Sequence, residues 1–243
     1  MQIDAALARE FAPTGRLRAA LNLGNAVLAH SRTAAERPAG VTIDLARRFA
    51  QLLGLEAELL QFDTAAKSGA AVAAGDADIG FMAIDPKRAE AIHFTSPYVQ
   101  IEGCYLVRET SPLQRNEEVD RAGTRVVVGD GSAYELFLSR HLQHASLVKV
   151  GTSEAVVDTF LQDATSGVAA GVRQQLEADA RRVGGVRLLP GRFMVIEQAM
   201  AMPRGRSPQA QALLESFIAQ QRGSGFVREA LRRHGIEGAT ALP

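Results

Sequence analysis

The chain has 243 residues, of which 47% are hydrophobic and 22% charged, a balance typical of a water-soluble globular protein with one large or two small domains. Its 27 basic and 27 acidic residues cancel, so no overall charge draws it to nucleic acid or to an anionic membrane. No apolar stretch approaches the ~20 residues of a membrane-spanning helix, and a single cysteine, Cys104, excludes an intramolecular disulfide. Cys104 lies in the apolar run 103–107, which predicts a buried structural thiol.

The first half of the chain alternates predicted strands with predicted helices. Apolar residues recur at helical spacing between 42 and 54, and Gly54 stands where a helix would be capped. Asp63 and Thr64 can cap a further helix that ends near Gly75. The predicted elements in chain order are a strand at 18–23, a helix at 42–54, a strand at 56–62, a helix at 64–75, and strands at 77–84 and 101–107. This alternation favours a parallel sheet flanked by helices.

The most informative segment of this half runs from 80 to 98. A buried strand is followed by Pro86, which suits the first turn of a helix because its missing N–H is not needed there. The end of a strand facing the start of a helix is where α/β proteins hold small anions. Arg88 then offers a planar fork of hydrogen-bond donors to a carboxylate. The segment therefore predicts a binding site for a small organic acid.

The second half repeats the alternation after a break near 110–112, and another break follows at 190–191. The elements predicted there are strands at 125–128, 146–150, 167–171, 186–189 and 197–202, and helices at 134–141, 153–164, 173–182, 208–222 and 226–234. We interpret the chain as two α/β lobes, with lobe 2 (112–190) inserted into lobe 1 (1–108 and 194–243). The crossings at 108–112 and 190–194 would form a two-strand hinge that permits closure around a ligand.

Six short segments resemble those of the bacterial solute-binding proteins of the polar amino-acid type (family 3), the two-lobed receptors of ABC importers. They are GVTIDLA at 40–46, GDADIG at 75–80, DPKRAE at 85–90, FTSPY at 94–98, VGDGSA at 128–133 and GSGF at 223–226. The similarity covers nearly the whole chain, from about Leu17 to Gly235. It implies the type 2 periplasmic-binding-protein fold, a small organic acid or amino-acid-like ligand, an ABC permease as partner, and no cofactor.

The resemblance also implies roles for individual residues. Arg88 corresponds to the arginine that clamps the ligand carboxylate; alternatively, it is a surface arginine that pairs with Glu90 or Asp85. The strand end whose backbone lines the pocket comprises Phe81, Met82 and Ala83, and the lobe 2 turn that binds the same carboxylate comprises Gly131, Ser132 and Ala133. A Gly-Ser turn that enters a helix leaves N–H groups facing an anion, whereas a plain helix cap is the alternative for Ser132.

Two positions depart from the pattern of the family's amino-acid binders. An acidic residue that pairs with the ligand ammonium usually follows a lobe 2 strand, and Arg173 stands there instead. The aromatic residue expected after the first strand is missing from 25–29, where Asn25 either donates to the ligand or forms a turn. Phe62 could wall the pocket, although a core position is favoured. We hypothesise that Arg88 and Arg173 bind a mono- or dicarboxylate without a free α-amine; otherwise Arg173 is an exposed arginine at a helix start.

Other chemistries receive less support from the sequence. His141 and His144 have helical spacing but no neighbouring carboxylate or cysteine cluster, so no metal site is expected. An enzyme on the same scaffold, such as a dehydratase or another lyase acting on a cyclic carboxylate, would use Asp130, Glu135 or Glu197 as acid or base. None of the three lies in a recognisable catalytic motif, so non-catalytic binding is preferred. A cytoplasmic small-molecule sensor is a further alternative.

The first ten residues lack both a basic region and an unbroken apolar run of the kind found in secretory signals. We therefore expect the chain as given to be cytoplasmic. A periplasmic protein from which a leader was removed is the alternative, because an importer receptor must work outside the inner membrane.

Overall fold

The computed structural model describes residues 3–30 and 38–243, so Met1 and Gln2, on which the leader prediction partly rests, lie outside it. Packing divides the chain into two compact units. Unit 1 comprises Met1–Gln100 and Glu197–Pro243, and unit 2 comprises Ile101–Ile196. The chain leaves and re-enters unit 1 within two strands, β5 (Val99–Arg108) and β10 (Met194–Pro203). The sequence analysis predicts these crossings at 108–112 and 190–194. The limits that it gives for lobe 1 and lobe 2 stay a prediction.

Unit 1 is an α/β unit in which most strands are followed by a helix. Its remaining elements, within the described ranges, are α1 (Ala5–Phe11), β1 (Leu17–Asn22), α2 (Val41–Leu52), β2 (Ala57–Phe62), α3 (Ala65–Ala74), β3 (Ile79–Ala83), α4 (Pro86–Ala89), β4 (Ile92–Phe94), α8 (Pro208–Gly223), α9 (Phe226–Arg233) and β11 (Thr240–Ala241). Strand β1 is central and pairs in parallel with β2 and β3. Strand β10 then pairs antiparallel with β3 and β4, and β11 pairs antiparallel with the start of β5.

The core of unit 1 forms where the helices cover this sheet. An aromatic group joins three helices, because the Phe49 ring lies 5.0 Å from that of Phe11 and 5.0 Å from that of Phe217. On another part of the sheet, the small side chains of Ala20 and Ala71 pack with Met82. Burial of apolar surface stabilises the folded state by about 25 cal/mol per Å² removed from water. The packing of these side chains therefore holds the strand ends in fixed positions.

Unit 2 repeats the arrangement. It contains a 3₁₀ turn at Asn116–Glu118, β6 (Arg125–Gly129), α5 (Ala133–His141), β7 (Ser146–Val150), α6 (Ala155–Gln162), β8 (Val168–Val172), α7 (Arg173–Val183) and β9 (Val186–Leu188). Strand β6 is central and pairs in parallel with β7 and β8. Strand β5 pairs antiparallel with β8 and β9. Among the helices of the described ranges, none has the length and apolar character needed to cross a membrane.

The central strand of unit 2 sends alternate side chains to opposite faces of the sheet, as the two-residue period of a strand requires. Val126 and Val128 enter one buried cluster with Tyr134, and Val127 enters another with Phe160. Cys104 belongs to the second cluster, and its Sγ lies 3.4 Å from the Gly191 carbonyl oxygen. Burial raises the pKa of this thiol to about 11. The prediction of a buried structural cysteine is therefore confirmed.

We expect part of the stability of unit 2 to be lost in acid because of Asp163, which follows α6. Its carboxylate accepts hydrogen bonds from Thr165 Oγ1 (2.6 Å), Ser166 Oγ (2.7 Å) and the Thr165 N–H (2.9 Å). These bonds lower the pKa of Asp163 from 3.8 to about 2. A carboxyl pKa lowered by folding stabilises the protein above its unfolded value, and that contribution disappears as the pH falls through the folded value. Urea unfolding of wild type and Asp163→Asn should therefore differ most above about pH 4 and converge towards pH 2; a constant difference would contradict this.

Candidate functional site

In unit 1, the predicted site residues lie at one edge of the sheet. Because β1 runs parallel to β2 and β3, the carboxyl ends of these three strands share that edge. Asn25 follows β1, Phe62 ends β2 and Ala83 ends β3. The site could thus be assembled from three separate segments of the sequence, as ligand sites of parallel sheets are.

Arg88 lies over the end of β3 because of a short capped helix. Asp85 caps α4 by accepting a hydrogen bond from the Lys87 N–H at 2.9 Å, and Pro86 occupies the first helical position. Within this turn, Arg88 Nη1 donates to the Ala83 carbonyl oxygen at 3.0 Å. This hydrogen bond fixes one corner of the guanidinium at the strand end, where the sequence predicts that the group binds a ligand carboxylate. That role for Arg88 stays a prediction.

Asn25 forms a turn after β1. Its N–H donates to the Asn22 carbonyl (3.3 Å), and its own carbonyl accepts from the N–H groups of Leu28 (3.0 Å) and Ala29 (3.1 Å). Its side-chain Oδ1 is buried and has no hydrogen-bond partner among the described residues. A buried polar oxygen without a partner costs about 1–3 kcal/mol, so a donor on a ligand or water would stabilise it. Asn25 therefore forms a turn, and its side chain holds a buried acceptor; its predicted role as a donor to the ligand stays a prediction.

The loop that carries Asn25 is held by Gly40. Gly40 has φ +137°, and a Cβ atom at this position would lie 2.3 Å from the Leu28 carbonyl oxygen. That same oxygen accepts hydrogen bonds from the Thr42 N–H (3.2 Å) and the Thr42 hydroxyl (3.1 Å). Only glycine permits this close approach, so the start of α2 fixes the turn after β1.

The aromatic residues of this edge belong mainly to the core. Phe81 is 3% exposed, and its ring meets that of fully buried Tyr98 edge-on at 6.4 Å. Phe62 is half-buried and packs against the cluster that contains Ala20 and Met82. For Phe62 this agrees with the core position that the sequence favoured. Ala83 is buried, and its carbonyl oxygen is the atom of β3 that anchors Arg88.

In unit 2, the predicted residues also follow the carboxyl ends of parallel strands. Gly131 has φ +66°, a left-handed conformation that favours glycine, and it turns the chain from β6 into α5. Ser132 is 6% exposed and caps α5, because its Oγ accepts a hydrogen bond from the Glu135 N–H at 3.1 Å. Ala133 is the first residue of the helix. Capping and anion binding are compatible here, because the first turn of a helix has several backbone N–H groups without an acceptor inside the helix. A side-chain cap engages one of them, and an anion can bind others.

The carboxylate of Glu135 reaches back to this same turn. Glu135 is 2% exposed and accepts hydrogen bonds from the Gly131 N–H (3.3 Å) and the Ser139 hydroxyl (2.6 Å). Lys149 Nζ lies 2.8 Å from its Oε1, and the hydrogen bond to Glu135 raises the pKa of Lys149. A ligand carboxylate at Gly131 would therefore share that N–H with an internal acid. The Ser-x-x-Glu spacing at 132–135, typical of a helix start, is a signal in the sequence that could have indicated this arrangement.

We expect Glu135→Ala to lower the free energy of unfolding by about 2 kcal/mol, since hydrogen bonds to a charged group are worth about 1.5–3 kcal/mol. Urea denaturation of the purified chain measures this. Glu154→Ala is the matched control, because Glu154 is exposed at the start of α6 and its side chain makes no capping bond. Equal midpoints for the two variants would show that Glu135 does not hold the turn.

Arg173 is ion-paired rather than exposed. Its Nε donates to Glu102 Oε2 at 2.6 Å, and its Nη2 donates to the Gly191 carbonyl at 2.7 Å. Arg192 Nη1 donates to the other oxygen of Glu102 at 2.6 Å. Burial is the largest single influence on Arg173 and lowers its pKa, but the hydrogen bond to Glu102 and the neighbouring negative charges together raise the pKa. Hydrogen bonds from Arg192 and then Arg173 lower the pKa of Glu102. Neither Glu102 nor Arg192 was recognised as a partner of Arg173 from the sequence.

Comparison with known proteins identifies the class of this chain. The family model described as "Bacterial extracellular solute-binding proteins, family 3" matches residues 26–236.

The chain belongs to this family.

It is a family 3 solute-binding protein. A comparison with curated protein sequences found no match.

Solved structures of the family's fold superpose on nearly the whole chain. The L-cysteine solute receptor of Neisseria gonorrhoeae gives a TM-score of 0.79 at 19% identity, covering 97% of this chain and 95% of that one. An amino-acid ABC transporter substrate-binding protein of Streptococcus pneumoniae, bound to L-arginine, gives 0.76 at 20% identity, covering 91% and 95%. An ancestral amino-acid-binding protein described as a precursor of cyclohexadienyl dehydratase gives 0.76 at 18%, covering 93% and 97%. The type 2 periplasmic-binding-protein fold is thereby confirmed.

The acids considered for catalysis in this solute-binding protein differ in their surroundings. The Asp130 side chain is 60% exposed and lies 3.4 Å from Lys149. Glu197 is exposed and accepts a hydrogen bond from Gln100 Nε2 at 3.1 Å. Glu135 is buried but paired with Lys149. In the described part of the chain, no three His, Cys, Asp or Glu side chains lie close enough together to hold a metal ion. The Nδ1 atom of His141 lies 2.7 Å from the carbonyl oxygen of Phe137 in the same helix.

Proposed function

We propose that this family 3 solute-binding protein binds a small carboxylate-bearing solute without catalysis. The ligand would occupy a cleft between the two lobes, and hinge closure would present the complex to an ABC permease. The observation that carries the proposal is the Arg88 guanidinium at the carboxyl end of β3, held there by its hydrogen bond to the Ala83 carbonyl. A fixed, planar guanidinium matches the two oxygens of a carboxylate.

The ligand class follows from what surrounds the end of β8. Zwitterionic amino acids need a carboxylate that can pair with their ammonium group. Two carboxylates lie beside this strand end. Both oxygens of Glu102 accept hydrogen bonds from guanidinium groups, those of Arg173 and Arg192, and Glu177 lies 3.9 Å from Arg173. We therefore propose a mono- or dicarboxylate that lacks a free α-amine. The proteins of similar fold that bind L-arginine or L-cysteine, at 20% and 19% identity, support the architecture and not their ligands.

Two measurements on the purified chain test this function. Native mass spectrometry after gentle purification should reveal a co-purified acid of low mass. Calorimetric titration should then give saturable binding of that acid, or of succinate or glutarate, and little heat with L-arginine or L-cysteine. Tight binding of a zwitterionic amino acid, with no response to any dicarboxylate, would overturn the ligand class and leave the solute-binding role standing.

A lyase is the second candidate, because one protein of similar fold is described as a precursor of cyclohexadienyl dehydratase. Glu135 is the buried acid that such chemistry would recruit, although its pairing with Lys149 opposes proton donation. Incubation with prephenate, followed by chromatography of the products, distinguishes the two. Turnover that disappears in Glu135→Gln would favour the enzyme, and unchanged prephenate would favour binding alone.

The compartment is part of the same proposal. The family is described as extracellular, which favours the periplasmic alternative over the cytoplasmic expectation from the first ten residues. Fractionation of cells that express the gene from its natural start, followed by immunodetection, decides between them.

A further inference from the structure

Within unit 2, one carboxylate is shared by two arginines from different segments. Glu102 lies on β5, Arg173 begins α7 and Arg192 precedes β10. Each oxygen of Glu102 accepts one guanidinium hydrogen bond, both at 2.6 Å. The Glu102 side chain is 27% exposed and that of Arg173 is 26% exposed, so this cluster is partly open to solvent. The cluster contains two guanidinium groups, which are the groups that proteins commonly use to bind the carboxylate of a ligand. Here the carboxylate of Glu102 already accepts their hydrogen bonds.

Neighbouring contacts hold this cluster in place. Arg173 Nη2 donates to the Gly191 carbonyl at 2.7 Å, and the Phe193 N–H donates to the Gly103 carbonyl at 3.0 Å. The segment that carries Arg192 is thus fastened beside β5 independently of Glu102. Loss of the Glu102 charge would therefore leave Arg173 and the backbone of the segment that carries Arg192 in place, and it would deprive both guanidinium groups of their shared acceptor.

A second acid nearby is less closely engaged. The nearest approach of Glu177 to Arg173 is 3.9 Å, at the limit of an ion pair, and its side chain is 42% exposed. Glu177 and Glu102 carry the same charge in the same neighbourhood, and only Glu102 holds both arginines by short hydrogen bonds. The two acids therefore offer a matched pair of substitutions.

We propose that Glu102 is an internal competitor of the ligand: it fills an anion subsite formed by Arg173 and Arg192, and an anionic solute must displace it. This inference rests on the proposed carboxylate-binding function and adds a residue that sets affinity and charge preference. Displacement restricts the subsite to ligands that replace both hydrogen bonds of Glu102, which a carboxylate can do and a neutral solute cannot.

Calorimetric titration with succinate tests this on four full-length chains: wild type, Glu102→Gln, Glu177→Gln and the double variant Glu102→Gln with Arg173→Gln. We expect Glu102→Gln to bind succinate about tenfold more tightly than wild type. Removal of the competing carboxylate leaves the guanidinium groups available to succinate, and one hydrogen bond to a charged group changes affinity by about this factor. Glu177→Gln should stay within about twofold of wild type, and the double variant should lose the gain. If Glu102→Gln does not fold, Glu102→Ala removes the same carboxylate without adding an amide.

The outcomes separate the two proposals. Equal affinity of Glu102→Gln and Glu177→Gln, including no binding by either, overturns the role of Glu102. Binding of succinate by wild type with no gain in Glu102→Gln overturns this inference and leaves the proposed function intact. Binding by Glu102→Gln alone supports an occupied anion subsite and counts against carboxylate binding by the wild-type chain.

Discussion

Replacement of Asp78 by alanine is expected to lower the free energy of unfolding by about 3–5 kcal/mol, the cost of removing one partner from a buried ion pair. The Asp78 side chain is fully buried, and its carboxylate accepts from the Arg18 N–H (2.9 Å), Arg18 Nε (3.1 Å) and Arg18 Nη2 (2.8 Å). Arg206 Nη2 approaches the same carboxylate at 3.5 Å. Without the Asp78 carboxylate, the Arg18 N–H of β1 would lose its acceptor, and the guanidinium groups of Arg18 and Arg206 would lose a buried negative partner.

Differential scanning calorimetry and urea denaturation measure this loss. In a chain of this size each kcal/mol corresponds to about 2–4 °C, so the midpoint should fall by about 6–20 °C. Glu56→Gln is the control, because Glu56 pairs with Arg16 at 3.0 Å but both side chains are more than half exposed. That variant should change stability by less than about 1 kcal/mol. A similar small change in Asp78→Ala would show that the buried pair is not what holds β1 to β3.

Substitution of Arg88 by alanine is expected to weaken ligand binding by about 100-fold or more. Two charge-assisted hydrogen bonds to a carboxylate, each worth about 1.5 kcal/mol or more, give at least this factor. Stability should change little, since Arg88 is half-buried in the four-residue helix α4. The measurement is calorimetric titration with the acid identified by mass spectrometry.

Two further variants show whether geometry or charge is responsible. Arg88→Lys keeps the charge but loses the planar fork, so its affinity should lie between wild type and Arg88→Ala. Arg228→Ala removes an exposed arginine from α9 and should bind as wild type does. If Arg88→Ala binds the acid as tightly as Arg228→Ala does, Arg88 is not the carboxylate clamp.

Much of the fold could be predicted from the sequence, because local signals and tertiary packing agree over most of the chain. The strand predicted at 146–150 is β7 (Ser146–Val150), and the helix predicted at 134–141 differs from α5 by one residue. Thr64 caps α3 as expected, with its Oγ1 accepting from the Lys67 N–H at 3.2 Å. Caps and apolar periods act within a few residues, so their consequences are visible in the sequence itself.

The sequence was less informative where long-range pairing determines an element. The strand predicted at 197–202 is longer at its start, since β10 begins at Met194 and the Phe193 N–H already pairs with the Gly103 carbonyl. The Pro-Gly break at 190–191 stands directly before this pairing, and local residue types do not show that the next residues pair with β5. Strand β11 was missed altogether, because two residues show no period and depend on β5 for their partners.

The charged partners of the candidate site could not be found by spacing. Glu102 is separated by 71 residues from Arg173 and by 90 from Arg192, so only the pairing of β5 with β8 and the course of the segment before β10 bring them together. Arg173 alone suggested an exposed or ligand-binding cation. The spacing of Ser132 and Glu135 is a local signal, but it is typical of a helix cap and does not indicate that the Glu135 carboxylate contacts the Gly131 N–H.

A crystal structure of the chain with its co-purified or titrated acid tests the central claim most directly. The account predicts a ligand carboxylate within hydrogen-bond distance of the Arg88 guanidinium, with the turn at Gly131 and Ser132 contributing from the other lobe. A bound acid whose carboxylate contacts neither Arg88 nor that turn would contradict it.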